Sequence, residues 1–238
     1  MGKRLIVQRR GRGSSIFRSQ PHKRIAAARY PAPSESIVHG IVEDILHEPG
    51  RGAPLAHVRL ENGESYYHVA VDSLYVGQRI SFGDKAPLER GNVLPLGSVP
   101  SGTFVCNVER RPGDGGKLVR SSGSYATVVA HLQQGTTLKL PSKKNIEIGD
   151  LCRATIGVIA GGGRLEKPFL RAGERRAKLR AKGQRYPIVK GISMVAASHP
   201  HGGGRHKRSM KPTSVSRNAP PGQKVGMIAP KRTGRRKK

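Results

Sequence analysis

The string His199-Pro200-His201-Gly202-Gly203-Gly204-Arg205-His206-Lys207 gathers three imidazoles, three consecutive glycines and two cations. Imidazole titrates near neutrality and ligates transition metals, so the string could supply a general base or hold a metal ion. Its neighbours complete neither chemistry. No Cys or carboxylate stands near to fill a coordination sphere, and the adjacent cations repel a metal ion. A general base at His199 or His201 needs a carboxylate to orient it and a nucleophile to serve, and the string holds neither. The reading that needs nothing further is a tight turn without Cβ atoms. There the backbone N–H groups of Gly202, Gly203 and Gly204, with Arg205 and Lys207, press against a phosphate backbone. His199 and His201 are the only catalytic candidates, and no metal or cofactor is expected.

Other strings are weaker. Gly161-Gly162-Gly163-Arg164 lacks the Gly-Lys-Ser/Thr ending of a phosphate loop and leads into no convincing helix, so it is expected to form a flexible exit from the second β block, with Arg164 a candidate phosphate contact. Cys106 and Cys152 each sit alone in an apolar stretch and read as buried small hydrophobes. Arg120-Ser121-Ser122-Gly123-Ser124-Tyr125 joins a cation, hydroxyls and an aromatic ring, suited to phosphate, ribose hydroxyl and base stacking, or to a plain polar turn.

The distribution of charge points to the partner. Residues 1–33 carry nine Lys/Arg and no acid; residues 34–86 carry four basic and eight acidic residues. Residues 87–168 carry eleven against six, and residues 169–238 hold twenty basic residues and one acid, Glu174. Two long basic arms thus flank nearly neutral blocks. Such arms cannot bury enough apolar surface to offset their conformational entropy, and they repel themselves. Alone they are expected to be disordered, and a nucleic acid that neutralises them would fix their shape. The expected contacts in the first arm are Lys3, Arg4, Arg9, Arg10, Arg12, Arg18, Lys23 and Arg24. In the second they are Arg175, Arg176, Lys178, Arg180, Arg185, Arg217, Lys231 and Arg232, with Arg153 added from between the arms.

Composition narrows the class. The 238 residues include 31 Gly and 17 Pro but no Trp, and aromatics are 4%, which suits small β modules and irregular chain. No apolar run approaches the roughly 20 residues that cross a bilayer, and no apolar signal segment follows Met1. A cytosolic protein with reduced cysteines and no membrane partner is expected.

The elements that must position these residues are strands. Ile37–Leu46 is β-like, and Ala56, Val58 and Leu60 alternate with His57, Arg59 and Glu61. Asn62-Gly63 turns the chain into Ser65–Val71, and Val76–Gly83 supplies a further strand. This first block, 34–86, predicts a barrel of the oligonucleotide-binding kind. Past a linker over Gly83–Gly91 come Thr103–Glu109, Lys117–Ser121, Tyr125–Leu132, Thr136–Leu140, Asn145–Ile148 and Arg153–Ile159, a second small barrel over 87–168. One helix is predicted, Ala172–Lys182, stopped by Gly183 and Pro187; its like charges oppose it in isolation, so phosphate is expected to support it.

Six strings in order carry a family resemblance. They are Gly91-Asn92-Val93-Leu94-Pro95-Leu96, Val105-Cys106-Asn107-Val108-Glu109, Pro112-Gly113-Asp114-Gly115-Gly116-Lys117, Arg120–Tyr125, Cys152-Arg153-Ala154-Thr155-Ile156-Gly157 and His199–Gly204. Together the chain resembles the universal family of the second ribosomal protein of the large subunit. The opening Gly11-Arg12-Gly13-Ser14-Ser15 and the closing Ser216–Gly222 and Lys231–Arg235 are similar to its archaeal and eukaryotic branch. One departure stands before the His string. Met194-Val195-Ala196-Ala197-Ser198 lacks the acid that the family usually carries there, which removes the nearest partner for His199.

The resemblance implies an all-β fold: an oligonucleotide-binding-like barrel, then an SH3-like barrel, with long basic irregular extensions and one short helix. It implies a monomer within the ribosome, a primary binder of large-subunit rRNA beside neighbouring ribosomal proteins. It also implies proximity to the peptidyl-transferase region, support of tRNA binding, and subunit association through small-subunit rRNA across the interface. No enzymatic activity is expected of the protein itself. Two other readings remain at this point: a His-dependent RNA-acting or peptidyl-transfer catalyst, and a basic-armed nucleoid-type DNA compactor.

Overall fold

The computed structural model describes residues 2–33, 36–164, 166–206, 208–209 and 211–234. Its contacts divide the chain into two compact units, Gln20–Leu170 and Met1–Ser19 with Arg171–Lys238.

In Gln20–Leu170 the period-2 segments become strands: β1 Val38–Leu46, β2 Leu55–Leu60, β3 Ser65–Val69, β4 Arg79–Phe82 and β5 Val93–Pro95. They continue as β6 Phe104–Cys106, β7 Ala126–Leu132, β8 Gly135–Lys139, β9 Asn145–Ile148 and β10 Arg153–Ile156. The protein is all-β in class. Asn62-Gly63 closes the β2–β3 hairpin, whose register pairs Val58 with Tyr66 and Ala56 with His68. The Asn62 side chain accepts the Glu64 N–H at 3.0 Å, which fixes the turn.

The strands form one ladder, β3-β2-β1-β4-β5-β10-β6-β7-β8-β9. The two modules share this one sheet, and beyond β3 the Val71–Ile159 bridge ties the first module to the chain leaving β10. Strand β5 makes the join: Val93 pairs in parallel with Phe82, and β5 runs antiparallel to β10. The linker expected over Gly83–Gly91 is therefore pinned. Asn92, buried just after it, accepts the Ser81 N–H at 2.9 Å and donates to the Pro87 carbonyl at 2.9 Å. The strand expected over Lys117–Ser121 is reduced to a single bridge between Val108 and Leu118, because Val119 takes a positive φ of 51°.

Two cores mark the modules. Val42, Val58, Ile80 and Phe82 pack in the first; Leu94, Leu96, Val105, Val128 and Leu138 pack in the second. A third cluster of Ala28, Leu55, Val69, Val71, Cys106 and Ile159 draws on both modules. Residues 20–33, expected to lie in an extended arm, belong here. Ala28 and Tyr30 are buried, and the Gly50 N–H donates to the Lys23 carbonyl at 2.9 Å. Cys106 and Cys152 are buried and free; burial pushes both thiols up, Cys152 to about 11.

The other unit has little regular structure. Helix α1, Ile6–Gly11, was not expected; the Gln8 side chain accepts the Leu5 N–H at 2.8 Å, and Arg9 and Arg10 lie in its last turn, where the helix dipole favours cations. The one predicted helix forms as α2, Ala172–Ala181. Glu174 stands in its first turn and Lys178 and Arg180 in its last. The chain then reverses through Gly183: its N–H donates to Arg180 and the Gln184 N–H to Leu179, a Schellman ending that satisfies two terminal carbonyls. A two-stranded parallel pair, β11 Ser214–Val215 and β12 Met227–Ile228, completes the unit.

Candidate nucleic-acid interface

The unit built from the two ends holds 26 Lys/Arg and one carboxylate side chain, Glu174. Carboxylate side chains of the unit's own sequence therefore cannot answer most of these cations. Lys3, Arg4, Arg9, Arg10, Arg12 and Arg18 are exposed, as are Arg175, Arg176, Arg180, Arg185, Arg205, Arg217, Lys231 and Arg232. Lys178 is half-buried. Lys207 lies outside the described residues. Charge at this density, kept in water, is a surface for phosphate.

Within that unit the His string is built, not loose. The His201 N–H donates to Nδ1 of His199 at 3.1 Å, and the two rings meet edge to face at 5.1 Å. With Nδ1 accepting, the neutral His199 ring carries its proton on Nε2. Burial and then the neighbouring His201 hold the His199 imidazole below its ordinary range, so neutrality is favoured. Glycines make the packing possible. A Cβ at Gly191 would collide with the His199 ring, and one at Gly226 would collide with the Thr213 carbonyl and stand 3.2 Å from the His201 ring. Gly202 and Gly203 lie against the Met194–Ala196 segment, where the Gly203 N–H donates to Met194 at 3.0 Å. That donor is spent internally, so not all three glycine N–H groups are available to phosphate. Gly204 is exposed.

The expected site residues of Gln20–Leu170 behave differently. Arg153 is turned inward: Nη2 and Nε donate to Glu109 at 2.9 and 3.3 Å, and Nη1 donates to the Pro31 carbonyl at 2.9 Å. Its guanidinium also lies over the Tyr30 ring at 5.3 Å. Arg120 donates to the carbonyls of Gly116 at 2.9 Å and Ala28 at 2.7 Å, and burial lowers its pKa first, with Arg51 adding to the effect. Both clamp residues 28–31 onto the sheet through these carbonyls. Lys23 is half-buried and Arg24 exposed beside Gly50. Ser122 accepts from Nε of Arg164 at 2.7 Å, which ties these two expected contacts together; Ser121 is exposed.

Sequence reading missed the aromatic partners. Phe104, 48% exposed, meets Tyr125, 44% exposed, at 4.6 Å on the second module. In a chain with 4% aromatics, the scarcity of rings was the signal that could have drawn notice to Phe104. Phe17 and Tyr186 carry Arg10 and Arg175 over their rings at 6.0 and 5.3 Å.

An all-β pair of modules that carries nearly all of its excess charge on terminal segments defines a class of polyanion-binding proteins. Two family models then match almost end to end: Ribosomal Proteins L2, RNA binding N-terminal domain, over residues 4–82, and Ribosomal Proteins L2, C-terminal domain, over residues 89–221. The large ribosomal subunit protein uL2 of Korarchaeum cryptofilum is 53% identical over 239 residues, spanning 100% of this chain and 98% of that protein. That of Thermofilum pendens is 54% identical over 242 residues, 100% and 97% of the two chains. That of Methanothermobacter thermautotrophicus is 50% identical over 241 residues, covering both chains fully. The chain belongs to the ribosomal protein L2 family.

Proposed function

We propose that the protein is a structural constituent of the large ribosomal subunit that binds its rRNA, neutralising phosphate where RNA helices converge. The single observation that carries this is the 26-to-1 ratio of cationic to acidic side chains in the unit built from the two ends. Residues Lys3, Arg4, Arg9, Arg10, Arg12 and Arg18 supply charge from one end. From the other, Arg175, Arg176, Lys178, Arg180, Arg185, Arg205, Arg217, Lys231 and Arg232 do the same. The two β modules set where the ends leave the folded scaffold, and Tyr125, Ser121, Ser122 and Arg164 add a contact on the scaffold itself. The ends take their conformation from RNA.

In this reading the protein works among neighbouring ribosomal proteins in the cytoplasmic ribosome. It holds RNA near the peptidyl-transferase region, supports tRNA binding and reaches small-subunit rRNA on subunit association. The His199–Gly204 string acts by packing. His199 has its Nδ1 bonded to backbone and lacks an orienting carboxylate in this sequence, which favours positioning of RNA over proton transfer. Replacing His199 or His201 by Gln should therefore lower assembly yield while leaving single-turnover peptide transfer unchanged in fully assembled particles. The deciding experiment is the salt dependence of binding to a large-subunit rRNA transcript. For about 6–10 phosphate contacts, affinity should fall roughly 10³–10⁵-fold between about 50 and 200 mM salt. A flat profile removes the proposal. Equal preference for duplex DNA and folded rRNA would move it to DNA compaction.

A further inference from the structure

Between α1 and the chain leaving α2 lies a cavity of about 650 Å³. Its walls include Arg10, Phe17, Arg175, Gln184, Arg185 and Tyr186, and no Asp or Glu. Three guanidiniums and two aromatic rings thus face one concavity, with the Arg10 and Arg175 guanidiniums over the Phe17 and Tyr186 rings. The approach is enforced: a Cβ at Gly183 would stand 2.6 Å from the Ser19 backbone nitrogen, so only glycine lets the end of α2 lie against the residues after Phe17.

Each feature fits the same ligand. A volume of this size is in the range of small-molecule pockets and admits one nucleotide, not a duplex. Aromatic faces and guanidinium planes are the two surfaces on which unstacked bases settle. Arginine forks suit phosphate oxygens, and the missing carboxylates leave nothing to repel an anion. The Gln184 amide offers both a donor and an acceptor to a base edge. Duplex backbone neutralisation would need the cations but neither ring. We infer that this cavity receives a single extruded nucleotide of the bound RNA, its base stacked on the Phe17 and Tyr186 faces and its phosphate held by Arg10, Arg175 and Arg185. The inference rests on the reading of the chain as an rRNA binder and adds to it a site with a defined occupancy of one base.

The test is ultraviolet crosslinking of the full-length protein to the large-subunit rRNA transcript, mapped by mass spectrometry, with binding measured in parallel. One nucleotide should crosslink to Phe17 or Tyr186. The double variant Phe17→Leu, Tyr186→Leu keeps apolar bulk but removes both rings; it should abolish that crosslink. It should also weaken binding roughly 5- to 150-fold, the equivalent of about 1–3 kcal/mol of stacking. Because no charge changes, the slope of log affinity against log salt should stay fixed. Absence of any crosslink at either ring in the wild-type complex overturns the inference even if the variant misfolds. So does a double variant that binds as the wild type does. Displacement of the transcript by micromolar AMP would assign the cavity to free nucleotide, and displacement by an acidic peptide would assign it to protein; either overturns extrusion from RNA. If the wild-type protein binds the transcript with a steep salt slope while these outcomes fail, only the cavity inference falls. If it does not bind at all, the rRNA reading falls first.

Discussion

In Gln20–Leu170, 18 Lys/Arg meet 14 Asp/Glu, whereas Met1–Ser19 with Arg171–Lys238 sets 26 Lys/Arg against Glu174. The scaffold uses its acids: Glu48 pairs with Arg51, Glu43 with Arg59, Glu61 with Arg79 and Glu109 with Arg153. Apolar burial divides the same way. Three cores fill the scaffold, while among the described residues of the other unit only Leu5, Ala181 and Val225 are buried hydrophobics. The hydrophobic term that offsets chain entropy is present in one unit and nearly missing in the other. Self-repulsion then adds to the deficit. The stability of the scaffold is internal; under the proposed function, that of the charged unit comes from RNA.

The largest expected effect tests that division directly. In the full chain without RNA, core amides of β2, β7 and β8 should exchange with solvent at least about 10³-fold more slowly than those of residues 2–19 and 184–234. Adding the rRNA transcript should slow the second group and leave the first unchanged. Equal protection in both regions before RNA is added would erase the distinction. Next comes Glu109, fully buried, whose carboxylate accepts five N–H bonds: three from Arg153, and one each from Gly113 and Gly115. Glu109→Ala strands the Arg153 guanidinium and should cost the scaffold about 3–5 kcal/mol in denaturant unfolding. Replacing Arg153 by Met as well should recover part of that loss.

The same division governs what could be read from sequence. Alternation of Ala56, Val58 and Leu60 with polar residues, followed by Asn62-Gly63, identified the hairpin because strand periodicity and turn chemistry are local properties. The class of the fold and the concentration of charge at the ends followed in the same way. Arg153 and Arg120 did not. The bond from Arg153 to a carboxylate 44 residues away, and those from Arg120 to backbone carbonyls, form only when the chain is folded. Tyr30 was hidden by its basic surroundings; its hydroxyl donates to the Asn107 carbonyl at 2.7 Å, which makes it an anchor of the sheet. Strand β5 was missed as a strand because it is three residues long and ends on Pro95. The cavity at Phe17 and Tyr186 depends on two segments far apart in sequence, beyond any local pattern.

His68 sharpens the comparison from the scaffold side. Its Nε2 bonds to Oγ1 of Thr155 at 2.9 Å, and burial first, then the Arg120 charge, hold the imidazole at about 4. An unfolded chain returns it to about 6.5, so between these values the unfolded state binds the extra proton. The stabilisation from neutral His68 is complete above about pH 6.5 and drains away as pH falls toward 4. The loss should reach about 3 kcal/mol at most. Denaturant midpoints across that range should fall for the wild type and flatten for His68→Gln, while RNA-dependent ordering of the charged unit stays outside this titration.

The smallest expected effects form a matched pair of surface substitutions. Arg59 belongs to the scaffold, exposed and 2.6 Å from Glu43; Arg176 stands exposed on α2, in the unit with one acid. Arg59→Gln removes a surface ion pair and should lower stability by less than about 1 kcal/mol. It should leave the salt slope of RNA binding unchanged, since the charge it removes was already answered by a carboxylate. Arg176→Gln should leave the unfolding midpoint within error and reduce the slope of log affinity against log salt by about one, as expected when one fewer phosphate is neutralised. A crossed result, with Arg59 setting the slope and Arg176 setting the melting point, would mean that cations on both units serve the same purpose.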